Sequence, residues 1–275
     1  MSYVSLMDAK TGFMKPMTEQ ALGKELNAQY NAASPFPHIV IDDFLPESLL
    51  ETVVHECESL EVNEDAATFD RAQERFKTSY HPDTLSDDVR RLFYSFNSRP
   101  FIKLMENITG IKGLIPDPYF LGAGIHEIKQ GGHLSVHADF NHHKMMNLER
   151  RINVLIYLNK DWKAEYGGTL ELWDREMTTR EQDIVPLFNR CVIFNTTSDS
   201  QHGNPAPIAH PQGITRKSIA LYYYTSTWDD TKRAKTTQFQ VRPNSGDRTD
   251  WKTKATEFTD EFLPPVLGRR IKRLF

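Results

Sequence analysis

From Tyr119 to Thr225 the chain is a succession of short β-rich runs divided by turns rich in Gly, Asn and Asp. The runs are PYFLGAGIHEI, HLSVHA, RINVLIYLN, GTLELW, RCVIFN and KSIALYYYTS. Many short strands at this spacing hide their apolar faces only by stacking or curling, so a sandwich, barrel or jelly roll is expected. Ahead of them the chain reads helical. Thr18 to Ala32 carries helix formers with apolar Ala21, Leu22 and Leu26. Pro46 and its neighbouring acids open a helix whose Leu49, Leu50, Val53, Val54 and Cys57 share one face. Ser86 is a good N-cap for another, and Pro100 interrupts that pattern before a second helical piece that runs to about Thr109. PHIVIDDFLP alternates like a short strand. Glu61 to Tyr80 is polar and expected to be irregular. A last amphipathic helix is expected from about Thr259 to Phe275, its basic cluster at Arg269, Arg270, Lys272 and Arg273 read as a solvated face.

Composition removes several classes. Lys and Arg total 33 against 37 Asp and Glu, a net charge of −4, which disfavours nucleic acid as a partner. No run of about 18 apolar residues exists, so no membrane span is expected. MSYVSLMDAKTGFMKPMTEQ lacks the basic-then-apolar order of a secretory signal. Cys57 and Cys191 stand alone and far apart, which excludes a disulfide framework or a cysteine zinc site and points to a reducing cytoplasm.

The chemistry concentrates in His137-Ala-Asp139. Residues i and i+2 of a strand point to one side, so an imidazole and a carboxylate can grip one ion from a single strand. His202, directly after the run RCVIFN, is the candidate third ligand. Two His and one carboxylate leave open coordination positions, a set suited to Fe(II) enzymes that bind cosubstrate and dioxygen. His126, His133, His142, His143 and His210 read as structural or exposed, with His142 and His143 on the surface of a polar turn. Fourteen residues after His202, Arg216 and Ser218 share a face of RKSIALYYY. A guanidinium clamps a carboxylate in two-pronged fashion, and a neighbouring hydroxyl adds a further hydrogen bond.

In combination these features resemble the iron(II)/2-oxoglutarate dioxygenases, within them the prolyl 4-hydroxylase-like branch. The resemblance covers about Tyr119 to Thr225 through GGHLSVHADFN, RRINVLIYLNKDW, YGGTLELW, PLFNRCVIFNTTSDSQHG and RKSIALYYYTS, in that order. It implies a double-stranded β-helix (a jelly roll) flanked by N-terminal and C-terminal helices. It implies His137, Asp139 and His202 as the metal triad and catalytic centre. Arg216, Ser218 and Tyr157 would then hold the far carboxylate of 2-oxoglutarate. Alternation puts Asn153 and Leu155 on the inner face with Tyr157, where they are expected to line the cosubstrate site, and puts Ile152, Val154 and Ile156 opposite. By the same parity Phe194 and Tyr222 line the walls. One departure stands out: ten residues before His137, where relatives often carry a tyrosine, this chain has Glu127, to contact substrate, pair with a base or face water.

The implied cofactors are Fe(2+), 2-oxoglutarate as cosubstrate and O2, with ascorbate as a candidate reductant. The implied reaction hydroxylates an unactivated C–H bond and releases succinate and CO2. Related halogenases lack the carboxylate ligand, so Asp139 favours hydroxylation. The substrate is left open between proline, a prolyl peptide and another polar metabolite, and a homodimer is left open too. Glu61 to Tyr80 and Phe140 to Asn147 are expected as lids. Two other readings compete: a cupin-like metal isomerase or hydrolase, which has no use for Arg216 and Ser218, and a non-catalytic binding module on the same fold. The expected organisation is a single catalytic domain over 1–275. Within it, 1–117 is a helical buttress with the first strands, 118–226 the jelly-roll core and 227–275 a C-terminal extension.

Overall fold

The structure is a computed structural model and describes residues 3–5, 7–15, 23–62, 64–229, 231–232, 234–242 and 245. The expected helix over 259–275, with its basic cluster, lies outside the described residues.

Helix α1 (Asn27–Ala32) precedes strand β1 (His38–Ile41) and helix α2 (Glu47–Cys57). Strands β2 (Ala67–Arg71) and β3 (Glu74–Tyr80) form an antiparallel hairpin, and helices α3 (Asp87–Phe96) and α4 (Arg99–Thr109) follow. Then come β4 (Ile115–Pro116), β5 (Gly124–Ala138), β6 (His142–His143), β7 (Leu148–Tyr157), β8 (Leu170–Trp173), β9 (Arg180–Ile184), β10 (Cys191–Asn195), β11 (Gln201–Asn204), β12 (Arg216–Thr225) and β13 (Gln238–Phe239).

The strands form a curled sheet in the order β1-β10-β7-β12-β5-β11-β8-β9. Long β5 makes the curl possible. Its first half pairs with β12 and its second half with β11, while β3 pairs along it from Ile125 to Leu134. One strand therefore serves two facing layers, as a double-stranded β-helix requires.

Alternation sorts the side chains. Ile152, Val154 and Ile156 of β7, Ile193 of β10 and Ile219, Leu221 and Tyr223 of β12 join the helix residues Leu50, Val53, Phe93, Phe96, Phe101, Leu104 and Ile108 in one buried core. The opposite face gathers Tyr157, Leu170, Leu172, Val192 and Phe194 between the layers. The helices thus buttress the sheet from outside. Ser86 accepts from the Val89 N–H at the start of α3. Pro100 opens α4 in its first turn, and Gly110, at φ +77°, stops it. Tyr223 ties sheet to helix by donating its hydroxyl to the Phe96 carbonyl (2.9 Å), one of the α3 carbonyls left without a helical partner.

Two expectations are corrected. Glu61 to Tyr80 is not irregular: β3 pairs with the free edge of β5 and carries β2 with it. Its polar side chains hid a strand held by backbone pairing. Phe140 to Asn147 is not a free lid, because β6 pairs with β7. In that turn His143 is fully buried, 3.3 Å from Asp117 and edge-on to Tyr224, while half-buried His142 stacks on Trp228. A polar turn looks like surface until a later segment packs over it.

Candidate active site

β5 and β11 run antiparallel with His137 directly opposite His202. Their ring centroids lie 4.6 Å apart, and Asp139, one residue beyond the end of β5, closes the third side. Its Oδ1 is 3.5 Å from His137 Nε2 and its Oδ2 is 3.4 Å from His202 Nε2. One atom from each residue falls within 4.8 Å of the others. Each imidazole donates its Nδ1–H to a carbonyl two residues upstream, His137 to Ser135 (2.8 Å) and His202 to Ser200 (2.9 Å). Both Nε2 lone pairs therefore face the centre, the tautomer a metal ligand needs. Burial, and the neighbouring His202, push the His137 imidazole down and keep it neutral. Phe239 packs on the His137 ring and Phe194 on the His202 ring. Two lone pairs and a carboxylate converging in a buried pocket are costly unless a cation joins them. The residues present fit a divalent ion.

Burial alone would raise the Asp139 carboxyl, but the Arg150 guanidinium beside it holds it well below the usual carboxylate range. Arg150 Nη2 is 3.1 Å from Asp139 Oδ2, and Asn153 Nδ2 donates to the same oxygen at 2.7 Å. Asn153, expected on the cosubstrate side, faces inward but commits its amide to Asp139. Arg150 went unremarked in the sequence. A bulge between Tyr223 and Tyr224, opposite Ile152 and Arg150, turns it inward against the alternation of β7.

The same pocket is lined by Leu155, Arg216, Ser218, Phe194 and Tyr222. Ser218 sits opposite Tyr157 across β12 and β7. The fully buried Tyr157 ring lies 5.0 Å from the Arg216 guanidinium, and Arg216 Nη2 donates to the Tyr157 hydroxyl at 3.4 Å. Burial pushes the Tyr157 hydroxyl up, with Arg216 opposing. Arg216 Nε donates to the Gly168 carbonyl at 2.7 Å. Among the described residues no carboxylate pairs with this buried guanidinium, which suits it to an anionic ligand.

Glu127 does not reach the site. Counting ten residues back from His137 assumes unbroken alternation. Yet Leu134 and His137 face Asn204 and His202, three residues on β5 spanning two on β11. That bulge reverses parity. His126, opposite Ser218, therefore points inward and lines the pocket, and Glu127 faces out opposite Lys217. There it accepts from Tyr80 (3.1 Å) and Thr215 (2.7 Å) and lies 3.4 Å from Lys217 Nζ. Of the remaining histidines, buried His210 packs against Trp162 and Tyr166, and His133 bonds the Ala72 carbonyl.

Residues 123–224 match the model of the 2OG-Fe(II) oxygenase superfamily. These residues form a 2OG-Fe(II) oxygenase domain. The chain is an enzyme that uses iron(II) and 2-oxoglutarate to oxygenate its substrate. Solved structures share its fold. A prolyl hydroxylase from Trichoplax adhaerens, in complex with a hypoxia inducible factor peptide fragment, is 18% identical with a TM-score of 0.55, over 78% of this chain and 94% of that one. A prolyl-4-hydroxylase from Pseudomonas putida is 16% identical with a TM-score of 0.50, over 74% of this chain and 98% of that one. HygX from Streptomyces hygroscopicus, with nickel and 2-oxoglutarate bound, is 12% identical with a TM-score of 0.51, over 75% of this chain and 89% of that one. At these identities the likeness concerns the fold.

Proposed function

We propose that this oxygenase hydroxylates an unactivated C–H bond of proline, a prolyl peptide or another polar metabolite. In this reading His137, Asp139 and His202 hold the iron, and Arg216, Ser218 and Tyr157 hold the far carboxylate of 2-oxoglutarate. Bound there, iron and cosubstrate supply the oxidising power, with succinate and CO2 as the released products. The protein's own part is positioning. Arg216 and Tyr157 set the depth of the cosubstrate, the aromatic walls keep water out, and the carbonyl-anchored imidazoles keep their lone pairs aimed.

The observation that carries this reading is the buried Arg216 without a carboxylate partner among the described residues, in the same pocket as three convergent metal-ligand atoms. A metal isomerase or hydrolase has no use for that cation. The polar groups of the hairpin β2–β3 beside β5, and the peptide held by the Trichoplax enzyme, support a polar or peptidyl substrate. The α-helical core shares a sheet with the site, which supports reading 1–275 as one catalytic domain. Free, buried Cys57 and Cys191 suit a cytoplasmic enzyme.

Succinate release screened over a panel of metabolites and prolyl peptides tests the proposal. A substrate that gains the mass of one oxygen in step with succinate supports it. Mass gain confined to compounds without proline or polar groups overturns the substrate class.

A further inference from the structure

We propose that Arg150, working with Asn153, is a positioning residue that fixes Asp139 as a one-oxygen metal ligand. The inference rests on reading His137, Asp139 and His202 as the ligands.

Asp139 stands outside β5, so strand pairing does not orient its carboxylate. Side chains do. Asn153 Nδ2 and Arg150 Nη2 both reach Oδ2, at 2.7 and 3.1 Å, whereas Oδ1 has neither of them and lies 3.5 Å from His137 Nε2. Oδ2, which lies 3.4 Å from His202 Nε2, thus carries both donors, and Oδ1 beside His137 carries neither. A free carboxylate can present either oxygen or both to a cation; the two donors on Oδ2 spend its lone pairs and favour Oδ1.

The arginine is itself locked. Its Nε and Nη2 both donate to Asn153 Oδ1, at 3.0 and 2.6 Å, closing a ring of contacts through Arg150, Asn153 and Asp139. The guanidinium lies over the Tyr222 ring at 3.6 Å and the Phe140 ring at 4.3 Å. Only 2% of Arg150 is exposed, and among the described residues Asp139 is its one carboxylate partner. A charge buried this fully is tolerated when paired and packed on aromatic faces. A lysine would keep the charge but lose the planar edge that serves Asn153 and Asp139 together.

The test is cobalt(II) binding to the full-length apoprotein, followed by calorimetry and by the ligand-field absorption of the bound ion. Arg150→Met is expected to weaken cobalt affinity roughly 10- to 100-fold, the range for a residue that orients a ligand, and to alter the spectrum. Arg150→Lys should recover part of the affinity. Asn153→Ala should move both readouts in the same direction, which covers the case of a poorly folding Arg150→Met. Asp139→Ala should weaken binding by itself, and adding Arg150→Met to it should cost little more, because the arginine acts through the carboxylate. Wild-type affinity and spectrum in Arg150→Met, or losses that simply add in the double variant, overturn the inference while leaving the triad intact. Unchanged cobalt binding in Asp139→Ala instead overturns the triad reading, and the role of Arg150 with it.

Discussion

Arg216 Nε donates to the Gly168 carbonyl at 2.7 Å, and a Cβ on Gly168 would fall 2.8 Å from Arg216 Cδ and 2.4 Å from Ile208 Cδ1. Gly168 also sits at φ +66°, which disfavours any side chain. The guanidinium therefore holds its place partly because this glycine lacks a side chain. Gly168→Ala is expected to displace Arg216 and raise the KM for 2-oxoglutarate roughly 10- to 100-fold, the worth of one charged hydrogen bond, with kcat at saturation changed far less. Steady-state kinetics against 2-oxoglutarate checks this, and an unchanged KM contradicts it.

Tyr157→Phe keeps the buried ring and removes the hydroxyl that Arg216 contacts at 3.4 Å. One neutral acceptor is worth about 1 kcal/mol, or about fivefold. Cosubstrate affinity should fall by that much with little loss of thermal stability, read by 2-oxoglutarate titration beside a melting curve. A large drop in stability with full cosubstrate affinity would mean that the tyrosine is only core packing.

A third expectation concerns β11. A Cβ on Gly203 would meet the carbonyl oxygens of Leu134 and Ser135 at 2.8 and 2.9 Å and Val136 Cα at 2.9 Å. Backbone atoms cannot swing aside as a side-chain end can. Gly203→Ala should push β11 from β5, part His202 from His137 and weaken metal binding, at a stability cost of about 1–3 kcal/mol. Metal titration of the folded variant measures it; wild-type affinity would show that the pairing tolerates the methyl.

His126 gives a pH signature. Its Nε2–H donates to the Gly122 carbonyl at 2.9 Å, and burial, with Lys77 and Arg216 nearby, pushes the imidazole down to about 3. The unfolded chain takes up the same proton near pH 6.5. Folding is thus favoured by neutral His126 above about pH 6.5, and the benefit drains away as pH falls toward about 3. Denaturant unfolding of His126→Asn against wild type should give a shallower acid limb in the variant, by up to about 1.4 kcal/mol per pH unit. Parallel limbs would mean that His126 takes up its proton in the fold as readily as in the unfolded chain.

Once the resemblance had singled out Tyr157, Arg216 and Ser218, alternation supplied their inward neighbours. On β7, β10 and β12 the residues called inward, Asn153, Leu155, Tyr157, Phe194, Arg216, Ser218 and Tyr222, are inward. What alternation could not reveal lies where it breaks. The bulge on β5 exchanges Glu127 for His126, and the bulge opposite Tyr223 and Tyr224 admits Arg150. Bulges leave no reliable mark in a single sequence, because their cause is the bending of one strand between two layers. The hairpin β2–β3 and buried His143 escaped for a second reason. Their order comes from partners distant in sequence, β5 for one and Asp117 with Tyr224 for the other.

The central claim is that one buried pocket binds iron(II) through His137, Asp139 and His202 and 2-oxoglutarate through Arg216. Anaerobic titration of the apoprotein with Fe(II) and 2-oxoglutarate tests it most directly. A visible charge-transfer band should develop, needing both components, weakened by Arg216→Ala and abolished by replacing His137 or His202. No band with the wild-type protein, or a band indifferent to Arg216, would contradict the account.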